Sequence, residues 1–363
     1  MSKYWNQRTR ALSPYIPGEQ PRDRKFIKLN TNENPYPPSP EVIAAIQNVA
    51  NEDLRLYPDP ECLELRIAIA RRYARYALTP EQVFVGNGSD EILAFAFAAF
   101  FESGAAALPV LFPDITYSFY PVYARLWDTP FELVPLRDDF SLNIDDYDRP
   151  NGGVVIANPN APTGRALRLE DARLLVERQA ACGRIALFDE AYMAFASEPR
   201  SLAAYINEYP NLLTVHTLSK AASLAGLRVG YAIANAELIE GLRRVRDSFN
   251  SYTLDRLALA GATAAIYHSA YYDDCNRRVI ATRERVSTQL TALGFELVPS
   301  SANFIFTCHP AIKGSALFMA LRERGILTRH WDIPRIADYL RVSIGTDADM
   351  DAFLAACVDI TCA

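Results

Sequence analysis

Between about residues 80 and 235, short apolar runs alternate with helical patterns, and four of the runs end in polar turns. Residues 83–85 lead into Gly86-Asn87-Gly88-Ser89-Asp90-Glu91, and residues 154–157 into Asn158-Pro159-Asn160-Ala161-Pro162-Thr163-Gly164. Residues 185–188 lead into Asp189-Glu190-Ala191-Tyr192, and residues 212–215 into His216-Thr217-Leu218-Ser219-Lys220. Short unbroken apolar runs suit strands buried on both faces, which need helices above and below them. The alternation predicts βαβ units and an α/β fold with a mainly parallel central sheet. Open sheets of this kind gather ligands at the carboxyl ends of their strands, where all four turns lie.

The last of these turns limits the chemistry most. Lys220 is followed eight residues later by Arg228, and the next apolar run, 229–234, reads as another buried strand. A lysine between two buried strands is costly unless it has a partner or a task. Desolvation makes its amine easier to deprotonate, and a neutral amine condenses with an aldehyde. Ser219 and Arg228 supply what a phosphate needs. Together these suggest covalent attachment of pyridoxal 5'-phosphate. Alone, the segment reads equally well as a solvated turn. The other turns decide between the two, because a lysine, an aspartate, asparagines and a glycine turn at four strand ends describe one cofactor pocket.

These segments resemble the fold-type I pyridoxal phosphate-dependent aminotransferases, and within them the histidinol-phosphate aminotransferases. Five further motifs carry the likeness: Leu12-Ser13-Pro14-Tyr15-Ile16-Pro17-Gly18-Glu19, Leu29-Asn30-Thr31-Asn32-Glu33-Asn34-Pro35-Tyr36, Leu56-Tyr57-Pro58-Asp59, Thr116-Tyr117-Ser118-Phe119-Tyr120-Pro121-Val122-Tyr123 and Tyr339-Leu340-Arg341-Val342-Ser343-Ile344-Gly345. They span nearly the whole chain. The resemblance implies transfer of an amino group from L-histidinol phosphate to 2-oxoglutarate, by a cytoplasmic homodimer with shared active sites.

On this reading Lys220 holds the cofactor and then moves a proton between the substrate Cα and the cofactor. Asp189 faces the pyridine nitrogen and keeps it protonated; a capping aspartate after a strand is the other reading of that residue. Tyr192 donates its hydroxyl to the cofactor's ring oxygen. Gly88, Ser89 and Asp90 open a helix whose free N–H groups suit an anion. With Thr217, Ser219 and Arg228 they are expected to hold the cofactor phosphate. The resemblance stacks Tyr117 on the ring and lets Tyr57 reach across a dimer to the other subunit's phosphate. A turn tyrosine packed on Pro58 is the alternative for Tyr57. Arg341 sits on an apolar strand, where a lone guanidinium needs an anion. With Arg329 it is the expected substrate anchor, Tyr15 closes over the site from the N-terminal arm, and Asn34 is a further candidate contact. One position departs from the family. An asparagine that commonly precedes Pro-Thr-Gly and binds the ring oxygen is here Ala161, which leaves Asn160, Asn158 or Tyr192 for that contact.

The 363 residues are enough for about two domains. An arm over 1–30 is expected to pack with a small domain over 251–363, and residues 31–250 to form the large cofactor-binding domain. The small domain is marked by long helical patterns at 254–266 and 271–293, followed by strands at 295–298, 303–307 and 339–344. A net charge of -6 without a basic run argues against nucleic-acid binding. Six scattered cysteines without CxxC spacing read as reduced thiols, and four distant histidines give no metal-ligand pattern. The most apolar run, 92–101, is too short to cross a bilayer and reads as a helix buried against the sheet. An aromatic amino-acid aminotransferase, or a threonine-phosphate decarboxylase on the same fold, would use the same lysine and aspartate. A pyridoxal phosphate-binding transcription regulator would need a helix-turn-helix ahead of the fold, where about 30 residues stand.

Overall fold

The computed structural model describes residues 2–21, 24–196 and 201–362. In chain order its strands are β1 (Ile27–Lys28), β2 (Val83–Gly86), β3 (Val110–Pro113), β4 (Phe131–Val134), β5 (Val154–Ala157), β6 (Ala186–Asp189), β7 (Leu212–Thr217), β8 (Gly230–Ala234), β9 (Glu296–Val298), β10 (Phe304–Cys308), β11 (Ile326–Leu327), β12 (Arg329–His330) and β13 (Leu340–Ser343). They form a seven-stranded sheet in the order β2-β8-β7-β6-β5-β3-β4, a four-stranded sheet β12-β13-β10-β9, and the pair β1-β11.

Every strand of the large sheet except the edge strand β4 is buried along its whole length. That explains the unbroken apolar runs. Successive residues nevertheless face opposite layers, as the pleat requires. Val83 and Val85 join one core with the helices Leu63–Arg72 and Leu169–Ala181, while Phe84 joins the other with Gly88–Phe100 and Ala236–Phe249. The apolar run near residue 92 is therefore a buried helix, with Ile92, Leu93, Ala96 and Phe97 fully covered.

Only β8 runs against the rest of the sheet, antiparallel to both β2 and β7. Its first residue thus lies where its neighbours end: Gly230 is level with Gly86 and with Thr217. Next along, Val215 is level with Asp189, and Asp189 with Ala157. This register gathers the polar turns after β2, β5, β6 and β7, and the segment before β8, at one edge.

The four-stranded sheet is antiparallel throughout and carries its own core, with Ile305, Val342, Leu321 and Phe353 buried. β1 of the N-terminal arm pairs in parallel with β11. The helix Arg256–Tyr267 departs from the expected division at residue 251. Ala258, Ala262 and Ala265 pack into the large sheet's core, and so does Tyr272 at the start of the long helix Ser269–Ala292. Val279, Val286 and Leu290 of that same helix belong to the second core. One long helix therefore serves both layers, and we place the change of layer inside it. The two-residue strands β11 and β12 lie in different sheets, and neither has an apolar run long enough to announce it. Among the described residues no helix is long and apolar enough to cross a membrane.

Candidate active site

The gathered edge of the large sheet and β12–β13 of the second line one pocket, with Lys220 on its wall. Lys220 sits in a single helical turn, Leu218–Ala221, capped by Thr217, whose hydroxyl accepts the Ser219 N–H at 3.1 Å. Its Nζ donates to the carbonyl of Thr31 at 2.9 Å. Burial pulls this amine down to about 8, helped by the positive charges of Arg341 and Arg228 and opposed by Glu33 and Asp90.

Asp189 is the last residue of β6 and is 6% exposed. Burial pushes its carboxyl up to about 6, against hydrogen bonds from the Tyr120 hydroxyl (3.0 Å) and the Ala191 N–H (3.2 Å). No cation pairs with it among the described residues. A buried carboxylate in this state favours a positive group placed before it.

A third corner is built for an anion. The helix Gly88–Phe100 begins here, and the N–H groups of its first turn have no partner within the helix. Arg228 approaches from the segment before β8, 3.2 Å from Ser219 Oγ and 2.9 Å from Asp90 Oδ2. Gly88 has φ +80°, and a Cβ there would stand 2.5 Å from Arg228 Nη2, so only glycine allows this approach. The Asp90 carboxylate accepts from Arg228 and from the Tyr117 hydroxyl at 2.7 Å, so what this residue can offer an anion is its backbone N–H.

A fourth corner belongs to the second sheet. Arg329 and Arg341 are direct cross-strand partners on β12 and β13, so both guanidinia rise from one face. Each lies over the ring of Trp331, at 5.4 and 5.3 Å. Burial, with the charge of Arg329 adding to it, holds Arg341 below the ordinary arginine range. Arg341 Nη2 donates to the carbonyl of Asn30, while its Nε is buried without a partner among the described residues. Arg329 Nη2 donates to the carbonyl of Ile16, which ties the N-terminal arm over the pocket. Tyr15 of that arm stacks on Phe119 at 4.3 Å.

Tyr15, Ser89, Asp90, Tyr117, Asp189, Tyr192, Thr217, Ser219, Lys220, Arg228, Arg329 and Arg341 all line this pocket, and Gly88 lies directly behind Arg228. Three expected contacts lie elsewhere. Asn160 is buried and fully engaged: its amide donates to the Ile115 carbonyl and the Thr163 hydroxyl and accepts from Thr116, so it holds the loop instead of facing the pocket. Asn34 donates to the backbone carbonyl of Lys220 and to Asn276, bracing the lysine turn from behind. Tyr57 is 78% exposed and stacks on Tyr252, outside its own chain's pocket. Asn158 is also engaged, accepting the Leu167 N–H at 2.9 Å. Of the three groups proposed for the ring oxygen, only Tyr192 lines the pocket, beside the buried methyl of Ala161.

Residues not singled out from sequence also shape the site. Tyr120 fixes Asp189, and the only hint was that a tyrosine buried among aromatics must place its hydroxyl somewhere. Thr31 and Asn32 reach Lys220 and Tyr192 from the motif beginning at Leu29.

These corners fit pyridoxal phosphate. A lysine with a depressed amine, a buried carboxylate lacking a cation, and a helix start crossed by an arginine match its aldehyde, its ring nitrogen and its phosphate in turn. Among the described residues no group of three or more His, Cys, Asp or Glu side chains is placed to hold a metal.

The family model for aminotransferase class I and II matches residues 24–356. The histidinol-phosphate aminotransferase of Clostridium acetobutylicum is 53% identical over 354 residues, covering 98% of either chain. That of Acetobacter pasteurianus is 52% identical over 362 residues, covering 100% of this chain and 99% of its own. The crystal structure of histidinol-phosphate aminotransferase from Sinorhizobium meliloti in complex with pyridoxal-5'-phosphate shares the fold. Its TM-score is 0.87 at 24% identity, covering 99% of this chain and 98% of that one.

Proposed function

This chain belongs to the class I and II aminotransferases and, within them, to the histidinol-phosphate aminotransferases, and we propose that it transfers the amino group of L-histidinol phosphate to 2-oxoglutarate. The products are imidazole acetol phosphate and glutamate, and the step belongs to histidine biosynthesis, a cytoplasmic pathway. The cofactor is pyridoxal 5'-phosphate. When bound, it supplies a carbonyl that captures the amine and a ring that takes up the electrons left on Cα.

The protein's own groups do the rest. Arg228, Ser219, Thr217 and the N–H groups of the Gly88–Phe100 helix hold the phosphate end. Asp189, positioned by Tyr120, holds a proton on the ring nitrogen. Lys220 Nζ, with its affinity for protons lowered to about 8, would take a proton from the substrate Cα and deliver it to C4' of the cofactor, on the far side of the amino nitrogen. Tyr15 and the arm tied down by Arg329 shut water out.

The observation that carries the substrate assignment is the register Arg329↔Arg341. Like charges directly opposite on neighbouring strands repel. The arrangement is favourable once a doubly charged anion lies between them, and a phosphate is that anion. The dicarboxylates of the return reaction can use the same pair. Removing either guanidinium should weaken histidinol phosphate by roughly 10- to 100-fold in kcat/KM. Arg329→Ala should affect glutamate less than Arg341→Ala does. The measurement is a panel of amino donors assayed against 2-oxoglutarate. Phosphate-free histidinol serving the wild type as well as histidinol phosphate would defeat the argument, as would release of carbon dioxide in place of glutamate.

The assembly we propose is a homodimer in which Tyr57 of one protomer completes the phosphate site of its partner. Its support is the exposure of Tyr57 amid further uncovered apolar side chains, Leu54, Leu56 and Phe249. Mixing inactive Lys220→Ala subunits with Tyr57→Ala subunits should restore part of the activity, since a mixed dimer holds one intact site. No recovery from subunits shown to exchange would rule this arrangement out.

A further inference from the structure

With alanine at position 161, Tyr192 is left without the loop amide as a second donor. A lone hydroxyl works as a donor only if its proton points the right way. A phenol that accepts a hydrogen bond from a fixed N–H keeps its own proton for another direction. Asn32 supplies that N–H, its Nδ2 lying 3.0 Å from the Tyr192 hydroxyl.

The orientation of this amide is itself determined. Ser343 Oγ lies 2.8 Å from the Asn32 backbone N and 2.9 Å from Asn32 Oδ1. The backbone N–H can only donate, so Ser343 Oγ accepts there, and with Oδ1 turned toward it the hydroxyl donates its own proton to Oδ1. Turned over, the amide would donate to Ser343 Oγ and leave that hydroxyl proton without an acceptor among the described residues, so Nδ2 faces Tyr192. Asn303 Nδ2 holds the Asn32 carbonyl at 3.0 Å, and Asn32 is 1% exposed. Its φ of +54° is a left-handed conformation that asparagine tolerates.

We infer that Asn32 is a positioning residue: it directs the Tyr192 proton into the pocket and so makes Tyr192 a fixed donor to the cofactor's ring oxygen, doing the work of the amide that Ala161 lacks. The inference rests on the reading that pyridoxal phosphate binds here. It also links the two sheets, because Ser343 shares β13 with Arg341. The strand that carries a substrate anchor sets the direction of a cofactor donor.

The test uses apo-protein reloaded with pyridoxal phosphate. Two quantities are read: the dissociation constant of the cofactor, and the pH midpoint of its bound absorbance band. Asn32→Gly removes the amide and suits the positive φ. Asn32→Asp keeps the shape but offers an acceptor, so the Tyr192 proton turns away from the pocket. Both should raise the midpoint by about one pH unit, because an anionic oxygen that loses a donor binds its proton more tightly. Both should weaken the cofactor roughly tenfold. Tyr192→Phe should shift the midpoint the same way, and Asn32→Gly added to it should shift nothing further. Ser343→Ala leaves Asn32 in place but frees its amide, and should move the midpoint in the same direction by less. Unmoved midpoints in all three single variants of Asn32 and Ser343, or full additivity with Tyr192→Phe, would overturn the inference and leave Asn32 a purely structural residue. A wild-type apo-protein that takes up no cofactor would overturn the underlying reading instead.

Discussion

Lys220→Ala should lower turnover on the order of 10⁴-fold or more while the chain still folds. Folding is expected to survive because the lysine sits in a single helical turn where alanine is favourable, and its one described side-chain bond is to the Thr31 carbonyl. Two roles are lost at once, and they separate experimentally. Borohydride reduction of the loaded wild type should fix the cofactor on the peptide that carries Lys220, and the variant should show no such peptide. Added small primary amines should restore part of the lost rate if the missing group is a proton carrier. The apo-protein gives a third readout. Its amine titrates near 8 in the folded chain against 10.5 when free, so the folded state binds fewer protons between those values. Stability of the apo wild type should therefore rise with pH across that window, with the full cost present below it. The variant should lack this slope. A variant with near-normal turnover, or a cofactor found on another lysine, would remove Lys220 from the mechanism.

Much of this site was legible because burial makes polar residues conspicuous. Lys220, Asp189 and Arg228 each adjoin a run buried on both faces, and a charged group there needs a reason. The carboxyl-end rule for parallel sheets then brought them together without knowledge of strand order. What stayed hidden depends on pairings that local sequence does not record. Asn32 meets Tyr192 across 160 positions and Ser343 across 311. The facing of Arg329 and Arg341 needs the register of a two-residue strand, too short to carry a period. The helix Arg256–Tyr267 looks like any helix of the second layer, and only its small residues Ala258, Ala262 and Ala265 set against the first core show where it packs. Asn160 sits in a motif that suggests ligand binding, yet the loop needs its whole amide.

Asp189→Asn should give a protein that is more stable without cofactor and nearly inert with it. In the folded apo-protein burial lifts this carboxyl from 3.8 to about 6. Between those values the folded state binds more protons than the unfolded chain, so stability falls as pH rises through the window. Above about pH 6 the cost is complete, at most on the order of 2–3 kcal/mol. Asparagine removes it. Urea denaturation of the two apo-proteins should therefore show a gap in favour of the variant near neutral pH, closing toward about pH 4. This is the opposite sense and the opposite window from Lys220. The two groups share a cause, since each is a charge kept from water with no ion-pair partner among the described residues. On the proposed role, a bound cofactor would give the carboxylate its cation in a protonated ring nitrogen, and what was a cost would become the interaction that keeps the ring able to take up electrons. Turnover of the variant should fall on the order of 10³-fold, in kcat far more than in cofactor affinity, because the charge is needed most where the electrons arrive. Matching stability profiles for the two apo-proteins would mean the carboxylate is not strained, and a variant with near-normal turnover would assign Asp189 to the framework of β6 alone.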